Sequence, residues 1–171
     1  LQDIFSYADN FTLINADVLK TDLNDFIDDN TVLAANLPYY VTTPILSHIL
    51  ENKYKFKTLT VMVQKEVAKR MIASPGTKDY GAFTCLINYY SNPEILRYIS
   101  PNCFSPAPKV ESAVVILRIP EEQKYLPLDE KIYKRIVKAV FGKRRKTLLN
   151  ALSSSFNEFS KQDIEEMIKA S

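Results

Sequence analysis

Glycine is scarce in this chain, with 3 in 171 residues, where average usage near 7% would supply roughly 12. Gly76, Gly81 and Gly142 lie far apart, so no G-x-G-x-x-G turn and no P-loop can be written anywhere. A self-contained nucleotide site on a glycine-rich loop is thereby excluded. Tryptophan is absent and His48 is the single histidine. The two cysteines, Cys85 and Cys103, have neither C-x-x-C spacing nor histidines around them. That argues against a disulfide framework or a metal site and fits a reducing, cytoplasmic setting. No apolar run approaches the ~20 residues that span a bilayer, and the N-terminus lacks a signal-peptide pattern, so no membrane partner is expected. The start at Leu1 points to a processed or truncated piece. What is present, 46% hydrophobic and 25% charged residues with 9 prolines, suits one globular domain with a small appendage and excludes disorder and low-complexity architectures.

The net charge of +2 conceals a polarity. Residues 1–30 hold seven aspartates and one lysine, a balance of −6, whereas residues 131–157 hold eight Lys/Arg and no acid, a balance of +8. One end of the molecule is therefore expected to face something anionic.

Five runs rich in Val, Ile, Leu and Thr read as strands: Phe11–Asn15, Val32–Asn36, Thr58–Val63, Ile95–Ile99 and Ser112–Ile119. The continuous apolar stretches within the last two-thirds of this set, VMV and AVVIL, suggest strands buried on both faces in a parallel sheet. Helices are expected between them. One begins with Thr43 as N-cap and Pro44 at the first position, one covers about Gln64–Ala73 and stops at Ser74-Pro75-Gly76, and one covers about Tyr80–Tyr90. The alternation argues for an α/β layered sheet. Pro101, Pro106 and Pro108 mark an extended loop over 100–109. Beyond a hydrophilic linker at 121–127 the pattern is purely helical, with Ser160 and Asp163 at capping-box spacing. A boundary is placed near residue 122, dividing 1–122 from a helical 123–171.

The tetrapeptide Asn36-Leu37-Pro38-Tyr39 ends a predicted buried strand, where open α/β sheets bind their ligands. It suits reaction at an aromatic exocyclic amine, whose lone pair is delocalised into the ring. Acceptors aimed at its two hydrogens, from a neutral Asn oxygen and a backbone carbonyl in a Pro-stiffened turn, would free that lone pair. An adjacent Tyr could stack on the ring and hold the nitrogen in line with an electrophile. Alone, the same four residues also describe a strand end, a proline turn and a packed tyrosine.

The stretch Asn36-Leu37-Pro38-Tyr39-Tyr40-Val41-Thr42-Thr43-Pro44-Ile45-Leu46 closely resembles the corresponding motif of the ribosomal RNA adenine dimethyltransferases. The match continues, in order, through Met62-Val63-Gln64-Lys65-Glu66-Val67-Ala68-Lys69-Arg70, Tyr80-Gly81, Tyr89-Tyr90, the loop Phe104-Ser105-Pro106-Ala107-Pro108-Lys109-Val110-Glu111-Ser112, and Phe141-Gly142-Lys143-Arg144-Arg145-Lys146-Thr147. The resemblance implies a partial Rossmann-like class I methyltransferase sheet followed by a small all-helical C-terminal domain. It implies S-adenosylmethionine as methyl donor, no metal, and as substrate two adjacent adenosines near the 3′ end of small-subunit rRNA, methylated in the cytoplasm by a monomer. Asn36 and the carbonyls of Leu37 and Pro38 would engage the target amine, Tyr39 would stack on the adenine, and Phe104 would close over it. Asp17 would accept a hydrogen bond from the donor's adenine, beside Asn36, and Lys143, Arg144, Arg145 and Lys146, placed on a helix, would contact RNA phosphates. Read without the resemblance, Asp17 is a solvated acid, Phe104 a packing aromatic and the basic run a solvated helix face.

The sequence also departs from the family pattern. The glycine-rich cofactor loop, the acid on the strand after it and the end of the helical domain are all missing. A fragment is expected, with little or no methyl transfer of its own. Two alternatives stand beside this reading: a related antibiotic-resistance methyltransferase of large-subunit rRNA, and a non-catalytic RNA-binding or ribosome-assembly module.

Overall fold

A computed structural model describes residues 3–5, 7–122, 127–143 and 145–170. Its centre is a four-stranded sheet in the order β1-β2-β4-β3, with β1 at Val32–Asn36, β2 at Thr58–Gln64, β3 at Asn92–Ile99 and β4 at Ser112–Arg118. The sheet is mixed. β1 runs parallel to β2, but β4 is antiparallel to both β2 and β3, which corrects the all-parallel expectation. Apolar runs report how deeply a strand is buried, and adjacent central strands are buried whichever way they run. On one face Leu59, Val61 and Val63 of β2 lie opposite Leu117, Val115 and Ala113 of β4, all fully buried. The other face is only half-buried.

α1 spans Thr42–Glu51 and buries Thr42, Ile45, Leu46, Ile49 and Leu50, one stripe at i, i+3, i+4 spacing. It starts two residues earlier than the sequence suggested. Val41 is the N-cap, and Pro44 falls inside the first turn, where a missing N–H costs nothing. α2 covers Lys65–Met71 and α3 covers Ala82–Tyr90, both shorter than their apolar periodicity implied. Past α2, Gly76 adopts φ +84° in a turn closed by the Thr77 N–H on the Ser74 carbonyl, the conformation that favours glycine there.

Residues 11–15, expected as a strand, form none. Phe11, Leu13 and Ile14 are instead exposed. β-propensity measures how well a side chain fits a paired, half-buried surface, and among the described residues no neighbouring strand pairs with this run.

The helical part comprises α4 at Glu130–Phe141, α5 at Leu148–Ser153 and α6 at Lys161–Ala170. Asp129 caps α4 by accepting from the N–H groups of Lys131 and Ile132. The Ser160–Asp163 capping box forms reciprocally at 2.9 and 3.1 Å. Ala139, Phe156 and Ile164 make a small core of their own, while Tyr133 of α4 packs on the sheet layer by stacking against Tyr89.

Candidate active site

β1 ends at Asn36, the chain turns at Pro38, and α1 departs three residues later. Asn36 is in register with Met62, and the Leu37 N–H still donates to the Met62 carbonyl, so the turn is fastened to the sheet up to its apex. Facing it is the loop between β3 and β4, which contains one 3-10 turn at Pro101–Cys103 and a cis Ser105–Pro106 bond. Asn36, Leu37, Pro38, Tyr39, Phe104, Pro106 and Pro108 line one open cleft of about 330 Å³ between the two. The structure thus brings together five of the residues singled out by the motifs, from positions up to 68 apart in the chain (104 − 36).

The carbonyls of the turn are not equivalent. That of Pro38 accepts from the Val41 N–H and from the Thr42 hydroxyl, each at 3.1 Å, so both of its lone pairs are used within the fold. That of Leu37 accepts from no group among the described residues. Asn36, exposed at the strand end, and the Leu37 carbonyl are therefore the acceptors left for a ligand.

Two contacts that the motifs did not reveal tie the cleft together. The Tyr39 hydroxyl lies 2.5 Å from the Ser112 hydroxyl at the start of β4. Next to it, Lys65 at the start of α2 pairs with Glu111 through both side chains, and its N–H donates to the Glu111 carbonyl at 2.9 Å. The hydrogen bond to Glu111 holds the Lys65 ammonium above its ordinary range. Its Nζ also sits 5.3 Å from the centre of the Tyr98 ring on β3. Three of the motifs that run in order along the chain, those at Asn36–Tyr39, Gln64–Lys65 and Phe104–Ser112, thus meet at one end of the sheet.

Asp17 is not part of the cleft lining. It is exposed, and one carboxylate oxygen accepts from the Leu19 N–H at 3.0 Å, closing an Asx turn, with Lys20 at 4.0 Å. The Lys20 ammonium faces the other oxygen. His48 also lies elsewhere, on α1, with Nδ1 3.1 Å from the Asn52 amide and Nε2 buried. Cys85 is half-buried with its thiol 3.4 Å from the Tyr80 hydroxyl. That contact and burial push the Tyr80 phenol up to about 12. Both Tyr89 and Tyr90 are buried.

The basic run does not form a helix. Lys143, Arg145 and Lys146 occupy the turn between α4 and α5, closed by the Lys146 N–H on the Lys143 carbonyl at 2.9 Å, and Arg144 lies outside the described residues. Gly142 explains the break: a Cβ there would stand 2.7 Å from the Lys138 carbonyl oxygen. Lys143 reaches back to Ser154 and Ser155 at the end of α5. The surplus of eight charges is also smaller than it looked. Glu130 and Glu158, just outside the 131–157 window, pair with Lys134 at 3.0 Å and with Arg135 through two nitrogens. Arg135 additionally stacks on Phe156, 4.0 Å from the ring centre.

Glu130 is the main electrostatic link between the helical part and the sheet layer. Its carboxylate accepts from Lys53, just after α1, at 2.6 Å and from the Tyr90 hydroxyl at 2.6 Å. Those bonds, Lys53 first, lower its pKa to about 2, while burial and then the carboxylate raise that of Tyr90.

A model of the ribosomal RNA adenine dimethylase family matches residues 1–170. The chain belongs to this family. Ribosomal RNA small subunit methyltransferase A of Alkaliphilus oremlandii is 48% identical over 176 residues, covering 100% of this chain and 61% of the relative. The protein of the same name from Clostridium acetobutylicum is 46% identical over 164 residues, covering 95% of this chain and 59% of its own length. The chain thus spans about three-fifths of the curated relatives it matches. A crystal structure of a dimethyladenosine transferase from Plasmodium falciparum superposes with a TM-score of 0.75 at 25% identity, over 92% of this chain and 56% of that one. That of the 23S rRNA methyltransferase ErmE gives 0.67 at 22% identity, over 98% and 65%, a likeness of fold. The α/β sheet is accordingly that of a Rossmann-like methyltransferase, here a mixed one. Among the described residues no group of three His, Cys, Asp or Glu could hold a metal ion, and no helix is long and apolar enough to cross a membrane.

Proposed function

We propose that these residues form the substrate half of an S-adenosylmethionine-dependent rRNA adenine N6,N6-dimethyltransferase, acting on two adjacent adenosines near the 3′ end of small-subunit rRNA. The observation that carries this reading is the cleft, whose lining joins two unspent acceptors, the Asn36 side chain and the Leu37 carbonyl, with the aromatic residues Tyr39 and Phe104. A target adenine entering it must leave its stack, as loop nucleotides do at least cost. Tyr39 and Phe104 hold the base by its two faces. Asn36 Oδ1 and the Leu37 carbonyl accept from the amine, draw its lone pair out of the ring and orient it. S-adenosylmethionine, when bound, would supply an electrophilic methyl group to that nitrogen, leaving as the neutral thioether, with one amine proton released to solvent per methyl group. The exposed carboxylate of Asp17, held only by the Leu19 N–H and a distant Lys20, would accept from the adenine amine of that donor, which Asn36 would border. With no G-x-G-x-x-G loop in its sequence to hold the methionine part of the donor, this length of chain by itself transfers little or no methyl.

The same proposal divides the chain near residue 122. The helical remainder is a separate small domain that meets RNA phosphates through Lys143, Arg144, Arg145 and Lys146, of which Arg145 and Lys146 carry no internal ion pair among the described residues. Such contacts position the protein and add salt dependence without sequence information. At the length of its relatives the protein acts as a monomer on the small subunit in the cytoplasm, a setting that its free Cys85 and Cys103 suit.

The test uses the chain extended to the length of its relatives, radiolabelled methyl donor and small-subunit RNA. Dimethyladenosine should appear in that RNA, and Asn36→Ala should lower the rate about 10²–10³-fold, the scale for removing one preorganised polar group at a reacting centre. A fully active Asn36→Ala variant, or label in large-subunit RNA instead, overturns the proposal.

A further inference from the structure

Ser112 is fully buried on β4, on the face opposite Ala113, Val115 and Leu117. It stands in register between Gln64 of β2 and Ile99 of β3, at the end of the sheet where β1 releases Asn36. Hydrophobic packing alone would favour alanine or valine here, because a buried hydroxyl costs free energy unless it is hydrogen-bonded. Its partner among the described residues is the Tyr39 hydroxyl, 73 residues away in sequence and 2.5 Å away in space.

The location of that bond gives it consequence. A tyrosine ring turns about two side-chain torsions, and packing at its base restrains it less than a bond at its tip. Tyr39 follows the proline turn, is only half-buried and lines the open cleft. The bond to Ser112 fixes the far end of that ring to the central strands. The neighbouring Lys65–Glu111 pair and the bond from the Lys65 N–H to the Glu111 carbonyl hold the residue before Ser112 against α2, so the anchor is itself rigid.

We propose that Ser112 is a positioning residue: its hydroxyl, through the Tyr39 phenol, holds the aromatic ring in the orientation in which it stacks on the target base. The inference rests on the methyltransferase reading above and adds to it a residue that touches neither base nor methyl donor. A misplacement of about 1 Å at a reacting centre can cost up to about 100-fold in rate. Loss of one restraint on one wall of the cleft is expected to cost about tenfold.

The experiment compares Ser112→Ala, Tyr39→Phe and the double variant in the full-length protein. Each removes one hydroxyl and keeps the remaining bulk. Ser112→Ala should lower kcat about tenfold with the KM for S-adenosylmethionine unchanged, and thermal melts should show both single variants folded. In the Tyr39→Phe background, Ser112→Ala should have no further effect, because the hydroxyl it served is already gone. RNA with 2-aminopurine in place of a target adenosine should show weaker fluorescence quenching with Ser112→Ala than with the parent protein. Unchanged kcat and quenching, or full additivity of the two substitutions, overturns the role of Ser112 while leaving the parent's activity to speak for the function. A parent protein that methylates no adenosine overturns both.

Discussion

The two edges of the sheet are built differently. β3 carries Pro93, the charged residues Glu94 and Arg97, and a register shift between Ile95 and Arg97. Proline removes a donor, a bulge twists the strand and charges repel a docking strand, which are the ordinary protections of an edge that faces water. β1, Val-Leu-Ala-Ala-Asn, has no proline, charge or bulge. Its first residue is 63% exposed, and the apolar residues Phe11, Leu13, Ile14 and Phe26 are exposed in the segment before it. β3 has the composition of a true edge and β1 that of an interior strand. The difference teaches that the length of the sheet can be read from how its edges are defended, independently of what pairs with them.

The largest effect should come from neither edge. Leu59→Ala at the fully buried centre should cost about 3–5 kcal/mol, measured by urea denaturation. A loss as small as that of an edge substitution would remove the distinction between centre and edge. Next in size is the link to the helical part. Glu130 has a depressed pKa, about 2 against an ordinary 4.5, so its contribution is present above the ordinary value and lost as pH falls from about 5 through 2. Glu130→Gln should lower stability by about 1–3 kcal/mol near neutrality, the scale for a hydrogen-bonded charge, and the variant and parent should converge near pH 2. An equal deficit at both pH values would show that charge is not what holds α4.

At the edges themselves, Val32→Lys should weaken concentration-dependent self-association of this chain about tenfold in sedimentation velocity, since charge on an open strand discourages pairing. Replacing Glu94 and Arg97 by valine should do the reverse on β3. A parent chain that stays monomeric at every concentration breaks the comparison. The smallest effect belongs to the Arg118–Glu94 pair, whose side chains are both about half exposed. Glu94→Gln should change stability by at most about 0.5 kcal/mol.

Much of this architecture was legible in the residues. β2 and β4 announce themselves because Val and Ile runs are what a central strand needs, and Asn36-Leu37-Pro38-Tyr39 and Phe104 do line one cleft. Strand direction was not legible, since burial is the same for a parallel and an antiparallel neighbour. Residues 11–15 have strand composition, but a strand exists only with a partner. Ser112 carried no signal of its own, because a contact across 73 residues leaves no local pattern. The basic surplus was overread for a simpler reason. A window of sequence cuts off Glu130 and Glu158, while space does not.

The bonds at Glu130 have a mechanical side. Donors from after α1, from the end of α3 and from within α4 converge on one carboxylate, so they restrain the start of α4 against sliding and tilting. From that fulcrum the helix runs about 18 Å, at 1.5 Å per residue, and near its other end a ring contact between Phe141 and Tyr80 at 5.8 Å steadies it. A tilt of about 5° at Glu130 would carry the Lys143–Lys146 turn roughly 1.6 Å on a lever of that length. One carboxylate thus governs the aim of a basic turn that begins thirteen residues away, and a solvent that neutralises it changes where that turn points before it changes what the turn binds.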